Sequence, residues 1–216
     1  MKRTIPFLAL LMLFGAGETV PLRAQYHHSR LTTPPCHAPW AHFIILEQLA
    51  SRVLEERLTE VGQIKGLEKL NLAGLAMNDA NLQRLAGMTQ LRELVLSETL
   101  VTDAGLKTVA GLKDLRSLNL GGTRVTSAGV KELAGLKELR DLNLALTRVS
   151  DGGVKELAAL KELRGLDLPR TAVTDAAIPA LAAMPRLQWL DLRGTQVTEA
   201  GLERLKKALP ECRILR

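Results

Sequence analysis

Aromatic residues are scarce, 3% of the 216 residues, and beyond Phe43 the only one is Trp189. A core built from this chain has to be aliphatic, which suits stacked layers better than the mixed interior of a compact enzyme. Only two cysteines are present, Cys36 and Cys212, and all four histidines, His27, His28, His37 and His42, precede residue 43. No apolar run reaches the roughly 20 residues that a membrane-spanning helix needs. The chain has no G-x-S-x-G, no phosphate-binding loop and no H-E-x-x-H. With no catalytic constellation to assign, the expectation is a chain that is not an enzyme and takes no cofactor.

Aliphatic residues are abundant: the hydrophobic fraction is 46%, ample for one continuous core in a chain of this length. The formal charge is +6. Setting aside Lys2, Arg3, Arg23 and Glu18 in the first 24 residues leaves 26 basic against 22 acidic side chains. The remaining charges interleave as Lys131-Glu132, Lys137-Glu138, Lys155-Glu156 and Lys161-Glu162, the pattern of a solvated surface, and nucleic acid is not expected as a partner.

Met1-Lys2-Arg3, the apolar run Ile5 to Phe14 and the small Gly15-Ala16-Gly17 have the three regions of a secretory signal peptide. Cleavage after Gly17 or Ala24 fits, the second placing the signal peptide over residues 1–24. Residues 25–38, with Pro34 and Pro35, read as a linker. The chain is expected to be exported, to a periplasm or beyond, with no membrane insertion after cleavage. The His27, His28, Cys36, His37 and His42 cluster matches no zinc spacing and holds no C-x-x-C-H, so no metal site is assigned.

From Leu67 onward the sequence repeats every 24 residues, at Leu91, Leu115, Leu139, Leu163 and Leu187. Each of the six units reads close to L-x-x-L-x-L-x-x-T-x-V-T-D-A-G-L-K-x-L-A-x-L-x-x. The leucines at positions four and six alternate with polar residues, so a short strand points them to one side. Thr102, Thr126, Ser150, Thr174 and Thr198 stand where helices begin, and an acidic residue follows each except Thr126, where the helix dipole favours negative charge. In the second unit Leu106, Val109 and Leu112 then form a helical stripe. No unit can bury its leucines alone, so the units must stack, with parallel strands on a concave face and helices on a convex one.

This pattern resembles the leucine-rich-repeat superfamily, in particular its bacterial 24-residue class with GALA-like repeats, over residues 63–216. The resemblance implies an α/β solenoid and a non-catalytic module that recognises a protein partner. The Asn usual after the strand is replaced by Thr99, Thr123, Thr147, Thr171 and Thr195, a ladder expected to bond backbone across turns, with Leu75 unable to join. A helix over 39–62 is expected to cap the first unit, and Cys212 to Leu215 to form a closing strand behind Pro210. Stacked in order, the units hold Cys36 and Cys212 about six strand spacings of roughly 4.8 Å apart, so no bridge between them is expected.

The fifth position of each unit faces the concave side and reads Asn71, Val95, Asn119, Asn143, Asp167, Asp191. Trp189, Arg170 and Arg193 lie at neighbouring positions, and a Trp among arginines has hot-spot composition. The candidate binding residues are therefore Trp189, Arg193, Arg170, Asp167, Asp191, Asn119 and Asn143. A Trp packed under the C-terminal cap is the structural alternative. Arg92, Arg116, Arg140 and Arg164 form a further column, expected to be neutralised by Asp114, Glu138 and Glu162 two residues before the last three. The functional expectation is a protein-binding module; the alternative is a cell-envelope structural or glycan-binding protein, which a single exposed aromatic serves poorly.

Overall fold

The structure is a computed structural model describing residues 43–45 and 51–216. Eight three-residue strands form one parallel sheet in chain order: β1 Phe43–Ile45, β2 Lys69–Asn71, β3 Glu93–Val95, β4 Ser117–Asn119, β5 Asp141–Asn143, β6 Gly165–Asp167, β7 Trp189–Asp191 and β8 Arg213–Leu215. Leu70, Leu94, Leu118, Leu142, Leu166 and Leu190 pair in register across it. The central residue of β2 to β7 is buried while at least one flanking residue keeps contact with solvent, the alternation that a one-sided core imposes. The turn and helix leucines of each unit join the strand leucines in one core cluster running from Leu58 to Leu209.

The helices on the other side are short: α1 Ser51–Gly62, α2 Asp79–Leu82, α3 Asp103–Val109, α4 Ser127–Val130, α5 Asp151–Leu157, α6 Ile178–Ala182 and α7 Glu199–Ala208. Two of them, α2 and α4, run on into a 3-10 turn. In the third unit the stripe comes from Val130, Leu133 and Leu136, all fully buried, so burial holds the segment where hydrogen bonding alone would be marginal.

The N-terminal cap differs from the single helix expected over 39–62. Phe43–Ile45 is a strand, paired with β2 through Ile44 and Leu70, and the described helix is Ser51–Gly62. Phe-Ile-Ile favours strand, and the outer edge of β2 offers it unpaired backbone groups. The helix packs on the convex side: Leu58 and Val61 are buried, and a Cβ on Gly62 would come within 2.7 Å of the Arg84 carbonyl oxygen. Strand followed by helix is the layout of a further, degenerate unit. The expected signal peptide over 1–24, the expected linker over 25–38, the histidines and Cys36 lie outside the described residues; Cys212 is a free thiol, which burial pushes above its ordinary pKa.

Each strand ends in a tight turn. The position-nine hydroxyls of Thr99, Thr123, Thr147, Thr171 and Thr195 donate to the carbonyl three residues back, at 2.6–2.7 Å. The expected ladder across turns is thus a set of closures within turns, because the left-handed residue at position eight folds the hydroxyl back on its own strand. That residue is Gly74, Gly122 or Gly194 in three units and Glu98, Leu146 or Arg170, with φ of 55–58°, in the others.

The units are clasped to one another at their helix starts. Asp103 accepts from the Thr126 N–H at 2.7 Å and from the Thr126 hydroxyl at 2.6 Å. Asp79 holds Thr102, Asp151 holds Thr174 and Asp175 holds Thr198 in the same way. The hydroxyl and N–H of Thr198, then Arg204, hold the Asp175 carboxyl below the usual carboxylate range. Each of these threonines also caps its own first turn with the same oxygen. The exception is matched on both sides: Ser127 replaces the acid, and Ser150, which caps nothing, donates its N–H to Ser127 at 2.9 Å.

The clasp explains the glycine three residues after the capping residue. A Cβ on Gly105 would stand 2.5 Å from Asp79 Oδ1, and one on Gly129 or Gly201 would collide with Asp103 or Asp175. In the fifth unit that position is Ala177, and the first turn there is 3-10.

Two stability outcomes are expected from chemical denaturation. Asp79→Ala and Gly105→Ala each cost about 1–3 kcal/mol, yet together cost less than their sum, because removing the carboxylate opens the space the methyl needs; strict additivity would refute the clash. Ser127→Asp with Ser150→Thr, which rebuilds the standard clasp, adds about 1 kcal/mol and raises Tm by roughly 2–4 °C. An unchanged or lower Tm would show the clasp to be without net value.

Candidate functional site

The concave face presents positions three, five and seven of each unit. At position five the side chains support the backbone: Asn71, Asn119, Asn143 and Asp191 each accept the position-seven N–H of their own unit, at 2.9–3.0 Å. Asn119 and Asn143 thus commit their oxygens to the backbone, leaving their amide NH2 groups toward the groove. Asp167 breaks the pattern because the residue two places on is Pro169, which has no N–H to offer. Its Oδ1 instead accepts the indole N–H of Trp189 at 2.8 Å.

Trp189 is fixed twice. Besides the bond to Asp167, the Arg213 guanidinium of β8 lies over its ring, 5.1 Å from the centroid, within cation–π range. The packing alternative is therefore realised on one ring face, by an exposed arginine of the last strand, and the ring is half-buried. Next to it Arg193 forks onto Asp191: Nε lies 3.0 and 3.1 Å from the two carboxylate oxygens and Nη2 2.6 Å from one of them. The Asp191 side chain is 4% exposed and the Arg193 side chain 62%. Asp191 is thus out of a partner's reach and serves to aim Arg193. Hydrogen bonds from Arg193 hold the Asp191 carboxyl below its usual range.

The sheet brings Asn119, Asn143, Asp167 and Asp191 into one row, each registered with the next. Arg170 belongs to another line: it has φ +55°, and its Cγ lies 3.2 Å from where a Gly194 Cβ would be, over the edge where the strands end. At the other end of the groove Lys69 and Glu93 pair at 2.7 Å. Between them Asp141 faces the groove with its carboxyl raised above the usual range by desolvation, reinforced by Asp167 and Glu93 and opposed by Arg164 and Arg140.

The neutralisation expected for the second-position arginines does not form. Arg92 pairs with Glu68 of the preceding unit and Glu162 pairs with Arg186. Among the described residues, Arg116, Arg140 and Arg164 have no carboxylate within ion-pair distance, and Arg140 Nε is buried without a hydrogen-bond partner. The chain turns there, with Leu115 N–H bonded to the Leu112 carbonyl, so residues two apart do not share a side as they would on an extended chain. Among the described residues no group of His, Cys, Asp and Glu is arranged to hold a metal ion, and no helix is long and apolar enough to cross a membrane.

Two carboxylates with opposite shifts predict opposite pH behaviour. Because the folded-state pKa of Asp191 is lowered, its stabilising contribution is present above its unfolded value and is lost as pH falls through the folded one. Arg193→Ala is expected to lower Tm at pH 7 and to approach the parent as pH falls below the usual carboxylate range; a difference that does not shrink in acid would assign the loss to packing. Asp141, whose folded pKa is raised, disfavours folding once ionised, so Asp141→Asn keeps or raises Tm at pH 7.

Comparison with known proteins agrees with this architecture. A family model described as Leucine Rich repeat matches residues 112–134 and 137–158, which cover most of the third and fourth units. Among solved structures, a leucine-rich-repeat protein of Leptospira interrogans superposes with a TM-score of 0.55 at 25% identity, over 72% of this chain and 38% of its own. Internalin C2 of Listeria monocytogenes gives a TM-score of 0.57 at 28% identity, over 68% of this chain and 62% of its own. The chain thus spans less than two thirds of the length of either. No curated protein matches it by sequence. Six registered 24-residue units, a parallel sheet of eight strands and these likenesses together give the described residues the leucine-rich-repeat fold.

Proposed function

We propose that the chain is an exported, non-catalytic recognition module that binds a protein partner on its concave face, at the C-terminal end of the sheet. The observation that carries this reading is the Trp189 cluster. Asp167 and Arg213 fix the indole, and Asp191 fixes the Arg193 guanidinium. An aromatic ring and two guanidinium groups are held in place before any ligand arrives, so binding loses little side-chain freedom. Asn119 and Asn143 extend the surface with free amide donors, and the small Gly121 and Ala145 leave room for a partner's backbone. No catalytic residue, cofactor or nucleic acid enters this reading. Its export rests on the leader, residues 1–24, and places the partner in the envelope or outside the cell.

The test is a pull-down from envelope and secreted fractions with the parent chain beside a Trp189→Ala, Arg193→Ala variant. A partner held by the parent and lost from the variant is the expected result. A partner held equally by both would remove the concave cluster from recognition. Retention of neutral or acidic glycans with no protein partner would favour the structural, glycan-binding alternative.

A further inference from the structure

The edge at which the strands end carries a second, unassigned surface. Among the described residues the two exposed large hydrophobics are Leu100, 43% exposed, and Leu146, 58% exposed. Both stand on this edge, at positions ten and eight of units two and four. Arg124 and Arg148 occupy position ten in units three and four, and Arg170 position eight in unit five; all three are exposed. Their guanidinium groups make no hydrogen bond or ion pair with a described residue. Of the acidic groups nearby, Asp103, Asp151 and Asp175 are committed to threonines, and Arg193 is tied to Asp191. Glu98 is the one acid on the line, at its N-terminal end.

The edge is also rigid. Position-eight N–H groups donate to the next unit's position-seven carbonyls, as Leu146 does to Pro169. Position-ten N–H groups donate to the preceding unit's position-eleven carbonyls, as Arg124 does to Val101 and Arg148 to Val125.

Leu146 is in the wrong place for stability. Its φ is +58°, in the left-handed region, where Gly74, Gly122 and Gly194 fill the same position in other units. A branched apolar side chain held there is strained, and here it is also turned to water. Folding gains nothing from leucine at this position, so its presence points to use of the side chain itself.

We propose that Leu100, Arg124, Leu146, Arg148 and Arg170 form a docking edge for an extended acidic protein segment that carries an aliphatic or aromatic residue among its carboxylates. The proposal rests on the reading of the chain as a recognition module but uses a different face. Charge complementarity selects the partner: three unpaired guanidinium groups donate forked hydrogen bonds to carboxylates, and Leu146 between them supplies an apolar anchor. From unit two to unit five the line covers three strand spacings, about 14 Å, the reach of four or five extended residues. Two leucines two units apart, with Arg124 between them, give too little apolar area to enter a bilayer, which favours a peptide over an anionic membrane.

The test pans random displayed peptides of about 12 residues against the full chain. The expected pool is rich in Asp and Glu around a Leu, Ile or Phe. Selected peptides bind about tenfold more weakly to Leu146→Asn and to Arg124→Ala, Arg148→Ala, and more weakly still at high salt. Leu146→Asn melts at or above the parent temperature, since Asn accepts the left-handed region, which separates lost binding from lost folding. A neutral or basic pool, or unchanged binding by the edge variants, overturns the inference. Binding lost only in Trp189→Ala, Arg193→Ala also overturns it but leaves concave recognition standing. An empty pool overturns the edge alone, because concave recognition of a folded partner survives it. Retention on phosphatidylglycerol vesicles without peptide enrichment replaces the peptide by a lipid surface and overturns the proposal.

Discussion

Everything in this molecule depends on leucine side chains that have no shelter within their own unit. A three-residue strand and a helix of one or two turns cannot enclose Leu142, Leu144 and Leu157 unaided; the units on either side complete the enclosure. Stability is therefore shared between neighbours, and whatever keeps successive units in register is as necessary as the leucines. The 24-residue spacing is the sequence expression of that demand. The spacing relaxes at β1, which pairs with β2 at a 26-residue offset.

The clasps show how register is kept at the helix starts, where the backbone offers only isolated parallel bridges such as that of Thr126 with Arg148. A carboxylate at one helix start receives both donors of the next unit's capping residue, so a single Thr closes its own helix and fastens itself to the unit before. The glycine that follows leaves room for the preceding aspartate at Gly105, Gly129 and Gly201. Position, acid, hydroxyl and missing methyl form one device, repeated along the array and varied twice, at Ser127 with Ser150 and at Ala177, where the first turn is 3-10.

The architecture was legible in the sequence because a period of 24 with leucine at fixed phases leaves few ways to bury those side chains. The helix starts were legible too, since Thr followed by Asp is what a first turn needs. The second use of that aspartate was not read, although the paired change to Ser127 and Ser150 carried the signal. Leu146 and the other left-handed residues were hidden because half of the units place glycine there and half do not. The N-terminal strand went unread because Phe43 to Ile45 also fits a helical stripe, and only the open edge of β2 decides between the two. At the concave site the row of Asn and Asp was found, but its division into backbone support and free groups needed the neighbouring residue in each unit. The arginine column was misjudged because a turn was read as extended chain.

Pro169 shows how a repeat array acquires a distinctive spot without changing its scaffold. Every other unit with an Asn or Asp at position five ties that side chain to its own backbone, and the strand there is chemically quiet. Removing one amide hydrogen releases one acceptor, and the released acceptor captures an indole from the next strand. Individuality among near-identical units arises here by subtraction: the imino acid alters no leucine, no clasp and no register. A face built this way can move such a spot along the solenoid in steps of one unit, each step needing only a proline in one unit and an aromatic residue in the next.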